Sequence, residues 1–453
     1  MCLQDGMFMD GLIYATISKN LANGIGSFWF PVFSENDLTS YHDQLPLFFG
    51  IQSVFFRILG NSLYVERIFS ILMACLTAFF MVKTWRLVYK NNLEIKHTEW
   101  APVLFWILSP VCFWTYINNT EEVLMSVFAT ASVFLILKGL KTGQSRIPYF
   151  IAAGACIFLC GFCKGFQGLF PLVTVGFYWL FFREFSFKKA VGYSLIILAV
   201  PAIITGILLL NETSHQSIIA NINVRLTRTF NGSEVATVNS RFYLGYRLLL
   251  ELIPATILMA VSYLWYRLKN KKRNPARSAK YAYFFIATGL SGSLPLMVTL
   301  EQRGFYLTTS LPFFALGLAT LAAPYISTLV NGINPLKKGF KIFRIVAVAL
   351  LIMVLGYSVM QTGKIKRDKD ELHDVYITGT VIPQRSIISV PRELTEEFAL
   401  RAYFVRYFNI YWDWKNHSHE YYFTRKELNK SVPGYYNKVS LDLKKYELYK
   451  RKF

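Results

Sequence analysis

Residues 10–24, DGLIYATISKNLANG, put one carboxylate at the head of a run of helix formers that is too short and too polar to cross a bilayer. Aspartate is a favoured N-cap, because its side chain accepts from the first free backbone N–H groups, so the plainest local reading has Asp10 opening a helix over 11–22. The rest of the chain makes that position unusual. Of its 453 residues 54% are apolar and 17% aromatic, more than a soluble domain of this length carries. Apolar stretches near the length that crosses hydrocarbon, about 20 residues, recur at 62–86, 99–117, 123–140, 147–163, 167–182, 190–210, 243–266, 281–299, 305–325 and 342–360. The expected fold is therefore an α-helical polytopic membrane protein with about ten spans. Residues 11–22 and 44–59, mixed in polarity, are expected to lie along the interface.

The formal net charge of +21 raises nucleic acid as a partner, and the placement of the charge argues against it. Basic residues collect in alternate loops, among them Lys83, Arg86, Lys90 and Lys96, then Lys141 and Arg146, then Arg183, Lys188 and Lys189, and Lys337 to Arg344. The other loops carry Asp10, Asp43, Glu121, Glu122, Glu212 and Glu301. That alternation is the positive-inside pattern, which puts the basic loops in the cytoplasm and the acidic ones outside. A nucleic-acid binder would concentrate its cations on one face of a soluble domain.

Three regions follow. Residues 1–60 form a first outer loop with interfacial helices, 61–360 a transmembrane domain with a long outer loop at 211–242, and 361–453 a small α/β module on the outer side. The last region is rich in both charges and has no long apolar run. Its strand-like pieces, VYITG (375–379), SIISV (386–390) and FNIYW (408–412), surround a helix-like PRELTEEFALRAYFVRY (391–407). Cys156, Cys160 and Cys163 lie within one predicted span, so CGFC (160–163) lacks the βαβ setting of a redox motif and reads as small helix-packing residues.

The ionisable residues that this topology leaves outside converge on one membrane face. They are Asp10; His42 and Asp43 in YHDQLP; Glu121 and Glu122 in NNTEE; Lys164; the arginines of 211–242; and Glu301, Arg303 and Tyr306 in EQRGFY. A transporter or flippase for lipid-linked sugars would place such groups near the bilayer midplane, on broken helices of two related halves. A ligase or polymerase of lipid-linked glycans would use a large outer loop such as 211–242. One-sided clustering suits instead an enzyme whose substrate head group sits at the membrane surface.

At these residues the chain resembles the GT-C glycosyltransferases of the protein O-mannosyltransferase and lipid A aminoarabinose transferase type. DGLIYATI matches the family's Asp-x-x-x-Tyr-Ala-x-Ile segment in register at Asp10, Tyr14, Ala15 and Ile17. YHDQLPLFFGIQSVFFRILGNSLYVERIFS (41–70), TEEVLMSVF (120–128), FCKGFQGLFPL (162–172) and EQRGFYLTTSLPFFAL (301–316) follow in the family's order. The resemblance implies transfer of a sugar from a polyprenyl-phosphate carrier, undecaprenyl or dolichyl, to a lipid, glycan or protein acceptor at the outer leaflet, with inversion. It makes Asp10 the base that takes the acceptor proton and Glu121 the second acid. Arg303, Lys164, Arg67, Arg241 and Tyr306, with Arg225 and Arg228, become the groups that hold the donor phosphate, and Tyr14, Asp43, Glu122 and Glu301 those that orient the acceptor.

The aminoarabinose branch has a glutamate followed by a lysine where this chain has Asp43 and Gln44, and a divalent metal goes with that arrangement. His42 and Asp43 are the local candidates, but no tight three-ligand spacing announces a zinc site. Family members also carry a membrane helix ahead of the Asp-Tyr segment. Only nine residues precede Asp10 here, and the expectation is that a first helix is encoded upstream.

Overall fold

The computed structural model describes residues 3–36, 39–142, 145–230, 236–269 and 279–452. The chain opens with α1 (Met9–Ala22) and α2 (Leu47–Leu59), neither long enough to be a span. α3 (Val65–Val88) is the first long apolar helix, followed by the single turn α4 (Leu93–Lys96). α5 (Trp100–Ile107) and α6 (Pro110–Ile117) make one broken span with an 80° bend. Pro110 supplies the break, because it has no N–H for a continuing helix and suits a first turn. α7 (Glu122–Lys141) and α14 (Leu311–Asn331) are the buried centre of the bundle. α10 (Phe187–Leu210), α12 (Tyr243–Lys269) and α13 (Ala279–Ser293) surround them, and α11 (Glu212–Phe230) connects α10 to the following segment. α15 (Lys338–Met360) is exposed along its whole length, as a lipid-facing helix is.

Eight helices among the described residues are long and apolar enough to span, and the broken pair makes a ninth. The longest, 147–182, is a hairpin. α8 (Ile147–Lys164) ends at Gly165, whose φ of 78° no residue with a side chain adopts easily. A Cβ on Gly168 would stand 2.3 Å from the Cys160 backbone, whereas residues eight apart in a straight helix are about 12 Å apart. The 3-10 turn 165–173 therefore folds back on α8 and leads into α9 (Thr174–Phe182). Both ends of the stretch lie at the same end of the bundle. Arg146 donates to the Tyr193 hydroxyl at 2.9 Å, and the Phe182 ring packs 4.5 Å from Tyr281, over which Lys141 sits at 4.9 Å. Counted as two passes, the hairpin brings the bundle to the expected ten.

Residues 361–452 contain α16 (Lys369–Val381), α17 (Phe398–Phe408) and a five-stranded sheet of order β2-β1-β3-β5-β4. β1 (Ile387–Ser389) is parallel to β2 (Tyr411–Asp413) and β3 (Tyr421–Arg425), and β5 (Tyr446–Arg451) is antiparallel to β3 and β4 (Tyr436–Lys438). Trp412, Phe404, Phe423 and Tyr446 form its core. SIISV and the end of FNIYW fall in strands as expected, but VYITG is helical. Leu372, Val375 and Thr378 recur every third residue on the buried face of α16, and bare Gly379 lets the Phe408 ring close against the helix. Tertiary packing overrides the local strand propensity there.

Candidate active site

Asp10 lies in the first turn of α1, where the helix dipole favours a negative charge, but it is not the N-cap. That position belongs to Phe8, whose N–H donates to Asn118 Oδ1 at 2.8 Å. The side chain of Asp10 makes no hydrogen bond among the described residues, so capping does not account for it.

Gly11 explains how the second acidic stretch reaches the first. The 117–121 loop lies directly on α1, so close that a Cβ on Gly11 would stand 1.9 Å from the Asn118 carbonyl oxygen. Asn119, at φ 52°, donates to the Gly11 carbonyl at 3.2 Å and accepts from Gln52 of α2 at 2.6 Å. α1, α2 and the loop thus interlock, and the loop delivers Glu121 and Glu122 to the head of α7. Gly11→Ala is expected to force the loop off the helix and to destabilise the protein by about 1–3 kcal/mol or more, the range for overpacking a core. A thermal unfolding curve in detergent checks it, and an unshifted midpoint would show that the loop does not depend on the missing side chain.

Both glutamates are buried. Glu122 accepts from Lys164 Nζ at 2.5 Å, and neither oxygen of Glu121 has a hydrogen-bond partner among the described residues. Lys164, the last residue of α8, also stands 4.5 Å from the Tyr306 ring centroid and 5.5 Å from that of Phe305. Those aromatics belong to the 3-10 turn Gly304–Thr309, and Phe305 stacks on Trp114, which with Phe8 forms an apolar wall. Arg303 precedes the turn. Its side chain is exposed and has no ion pair or hydrogen bond among the described residues.

Electrostatics tie the cluster together. Burial raises the Asp10 carboxyl above the usual carboxylate range. Glu122 and Asp43 push the same way, and Lys164 and Arg303 pull against them. Burial likewise pushes the Tyr306 hydroxyl up to about 12, against the pull of Lys164. On the far side Arg225 of α11 donates to the Asp43 carbonyl at 3.1 Å and to Gln44 Oε1 at 2.6 Å, and Gln44 donates to the Tyr14 hydroxyl at 3.3 Å. Asp10, Tyr14, Asp43, Glu121, Glu122, Lys164, Arg225, Arg303 and Tyr306 therefore form one connected cluster.

Other candidates stand outside it or at its edge. Arg67 is buried and spends its guanidinium on the backbone carbonyls of Gly6, at 2.8 Å, and Ile117, so it clamps two loops instead of facing a phosphate. Its neighbour Glu66 pairs with Arg406, not with Arg67. Arg241 has an exposed side chain, and its carbonyl accepts from Gln302 at 2.9 Å. Glu301 is exposed beside Tyr306, whose hydroxyl it also pushes up. The Arg228 side chain lies outside the described residues.

His42 meets Ser40 Oγ at 2.6 Å and packs edge-on against Phe30. Among the described residues no group of three or more His, Cys, Asp or Glu has the geometry to hold a metal ion, so His42 and Asp43 do not make a metal site on their own.

Several residues that the motifs did not single out hold the site. Gln44 bridges Tyr14 and Arg225. Buried Gln302 accepts from the Leu244 N–H at 3.0 Å and donates to the Thr299 carbonyl at 2.7 Å, tying the segment before Arg303 to the head of α12. Arg247 lies alongside Gly304 and pairs at 2.7 Å with Glu251, which also accepts from the Val111 N–H at 2.7 Å, at the break between α5 and α6.

Residues 43–208 match the family described as dolichyl-phosphate-mannose-protein mannosyltransferase. Among curated proteins none matches the chain. Two solved structures of ArnT from Cupriavidus metallidurans share its fold at a TM-score of 0.64. One is apo (13% identity) and one is bound to undecaprenyl phosphate (14%), and each superposition covers 99% of this chain and 94% of that one. The archaeal oligosaccharyltransferase AglB from Archaeoglobus fulgidus, in complex with an inhibitory peptide and a dolichol-phosphate, is a fainter likeness, with a TM-score of 0.46 and 11% identity over 93% of this chain and 66% of that one. Residues 43–208 thus carry the likeness to the mannosyltransferase family, on a membrane bundle that has the fold of ArnT.

Proposed function

We propose that the protein transfers a sugar from a polyprenyl-phosphate carrier to an acceptor at the outer face of a bacterial inner membrane, with inversion, and that Asp10 is the base. The observation that carries the reading is the meeting in one cluster of a carboxylate with no hydrogen bond of its own and an exposed guanidinium, Arg303, that acts on it and has no hydrogen bond or ion pair among the described residues. A hydroxyl attacks poorly unless a positioned base takes its proton in the transition state. A lipid phosphate leaves more easily when cations meet its growing charge. Asp10 suits the first task, and Arg303 with Lys164 the second. The raised pKa of Asp10 makes it a stronger base than a solvated carboxylate. Attack from the side opposite the phosphate inverts the anomeric carbon. The proton goes to Asp10 and the carrier leaves as free polyprenyl phosphate.

The ArnT structure with undecaprenyl phosphate supports a carrier of that class. By the positive-inside pattern the acidic end of the bundle, where the cluster lies, faces outward. Tyr14, Asp43, Glu121 and Glu122 line the acceptor side in this reading.

The test supplies reconstituted protein with a polyprenyl-phosphate sugar and an acceptor extract from the same envelope, and follows release of free polyprenyl phosphate. Release is expected from the monophosphate donor and not from a diphosphate one. Movement of intact lipid-linked sugar with no release would identify a flippase instead. In the same assay Arg303→Gln is expected to cut turnover on the order of 10²-fold, the scale of one lost donor to a developing anion. A wild-type rate would remove Arg303 from the phosphate site.

A further inference from the structure

α17 of the C-terminal module lies along α1 and holds it near both ends. Beside the first turn, the Tyr403 hydroxyl accepts from the Met7 N–H at 3.0 Å, and the Met7 carbonyl at 3.1 Å and the Asp368 carboxylate at 2.9 Å compete for its proton. Just upstream, Asp5 pairs through its backbone with Lys364 and Lys366, and its carboxylate accepts from the Tyr376 and Tyr407 hydroxyls. At the other end Lys19, 2% exposed, donates to the carbonyls of Val405 at 3.2 Å and Arg406 at 2.7 Å and to Asn409 Oδ1 at 2.7 Å. These acceptors sit where α17 ends, where the Val405 carbonyl also takes the Asn409 N–H at 3.2 Å, and the three N–H bonds of an ammonium match the three of them one to one. α17 is in turn fixed to the bundle. Buried Arg406 donates to Glu66 of α3 at 2.9 Å and to the Ser62 carbonyl at 2.8 Å.

Asp10 makes no hydrogen bond of its own among the described residues, so its carboxylate stands wherever the backbone of α1 puts it. We propose that α17 is the positioning element for Asp10, with Lys19 and Tyr403 as positioning residues for the transfer reaction. The proposal rests on the reading of Asp10 as the base. A base works only within hydrogen-bond reach of the acceptor proton, and a misplacement of about 1 Å costs on the order of 10²-fold. The groups assigned to the donor phosphate, Lys164 and Arg303, sit on other elements, which separates the consequences for donor binding and for turnover.

The experiment compares full-length wild type with Lys19→Met and Tyr403→Phe, each reconstituted and first checked for an unchanged unfolding midpoint. Turnover is expected to fall about 10- to 100-fold, the range that misplacement implies, with KM for the carrier-linked donor within about twofold. Amide hydrogen exchange over residues 9–14 is expected to rise in both variants, a readout that needs no activity. Wild-type turnover in a folded Lys19→Met variant, or exchange in α1 as slow as in wild type, would overturn the proposal. So would turnover that falls only in proportion to folded protein. Asp10→Asn separates the two readings. If it keeps wild-type turnover the base assignment fails, whereas an inert Asp10→Asn beside a fully active Lys19→Met refutes the positioning role alone.

Discussion

Asp10→Asn is expected to lower turnover by on the order of 10²–10⁴-fold, the share a positioned base supplies, while leaving the unfolding midpoint where it was. The two parts of that expectation have separate causes. The exchange is isosteric, and Asp10 makes no hydrogen bond among the described residues, so no partner is stranded. It also removes a negative charge from beside Glu122 and Asp43, whose repulsion already helps to raise the Asp10 pKa. Folding thus loses nothing, and only the ability to accept a proton goes. The pH profile of the wild type follows from the same balance. A base is inactive when protonated, so the rate falls as pH drops through the Asp10 pKa. Burial sets that pKa above the ordinary aspartate value near 3.9, so the acid limb of kcat/KM lies at higher pH than a solvated aspartate would give. Lys164 and Arg303 hold the pKa down, so Arg303→Gln should move the limb further up. Full turnover by Asp10→Asn would end the case for this carboxylate as base.

The outline of this site is legible in sequence because hydropathy locates the ends of spans and few charged residues stand at those ends. Asp10, Glu122, Lys164, Arg303 and Tyr306 come from four separate stretches, yet each sits beside an apolar run on the same predicted side. The 147–182 hairpin is legible for the same reason, since Arg146 and Arg183 bracket it and Gly165 stands in its middle. What pattern reading does not supply is the pairing of polar groups far apart in the chain. Gln44, Asn119 and Gln302 look like ordinary loop amides until the fold sets each against partners tens to hundreds of residues away. Arg67 shows the converse. At the mouth of a span it resembles a phosphate ligand, but carbonyls from two other loops use its donors. VYITG failed because the burial pattern that settles α16 as a helix is set by its neighbours in the module and outweighs a local preference for strand.

Lys164→Met is expected to damage both stability and transfer, and the two losses can be separated. The Lys164–Glu122 pair is shut away, with side chains 5% and 1% exposed. Removing one member of a buried pair leaves the other charge uncompensated, at a cost of about 3–5 kcal/mol. Glu122 already has a second oxygen without a partner, so nothing nearby takes over from the ammonium. The unfolding midpoint of Lys164→Met should therefore fall by more than that of any exposed lysine. Adding Glu122→Gln should recover most of the loss, because a neutral amide needs no counter-charge. Transfer should not recover with it. The ammonium stands over the Tyr306 ring and acts on Asp10, and in the proposed reaction its second task is to meet the charge of the departing phosphate, which neither neutral side chain can do. A double variant that is stable but slow by on the order of 10²-fold places Lys164 in the chemistry. If the double variant regains wild-type turnover along with its stability, the ion pair only holds α7 and α8 together, and the departing phosphate must find its cation at Arg303 or at Arg225 of α11.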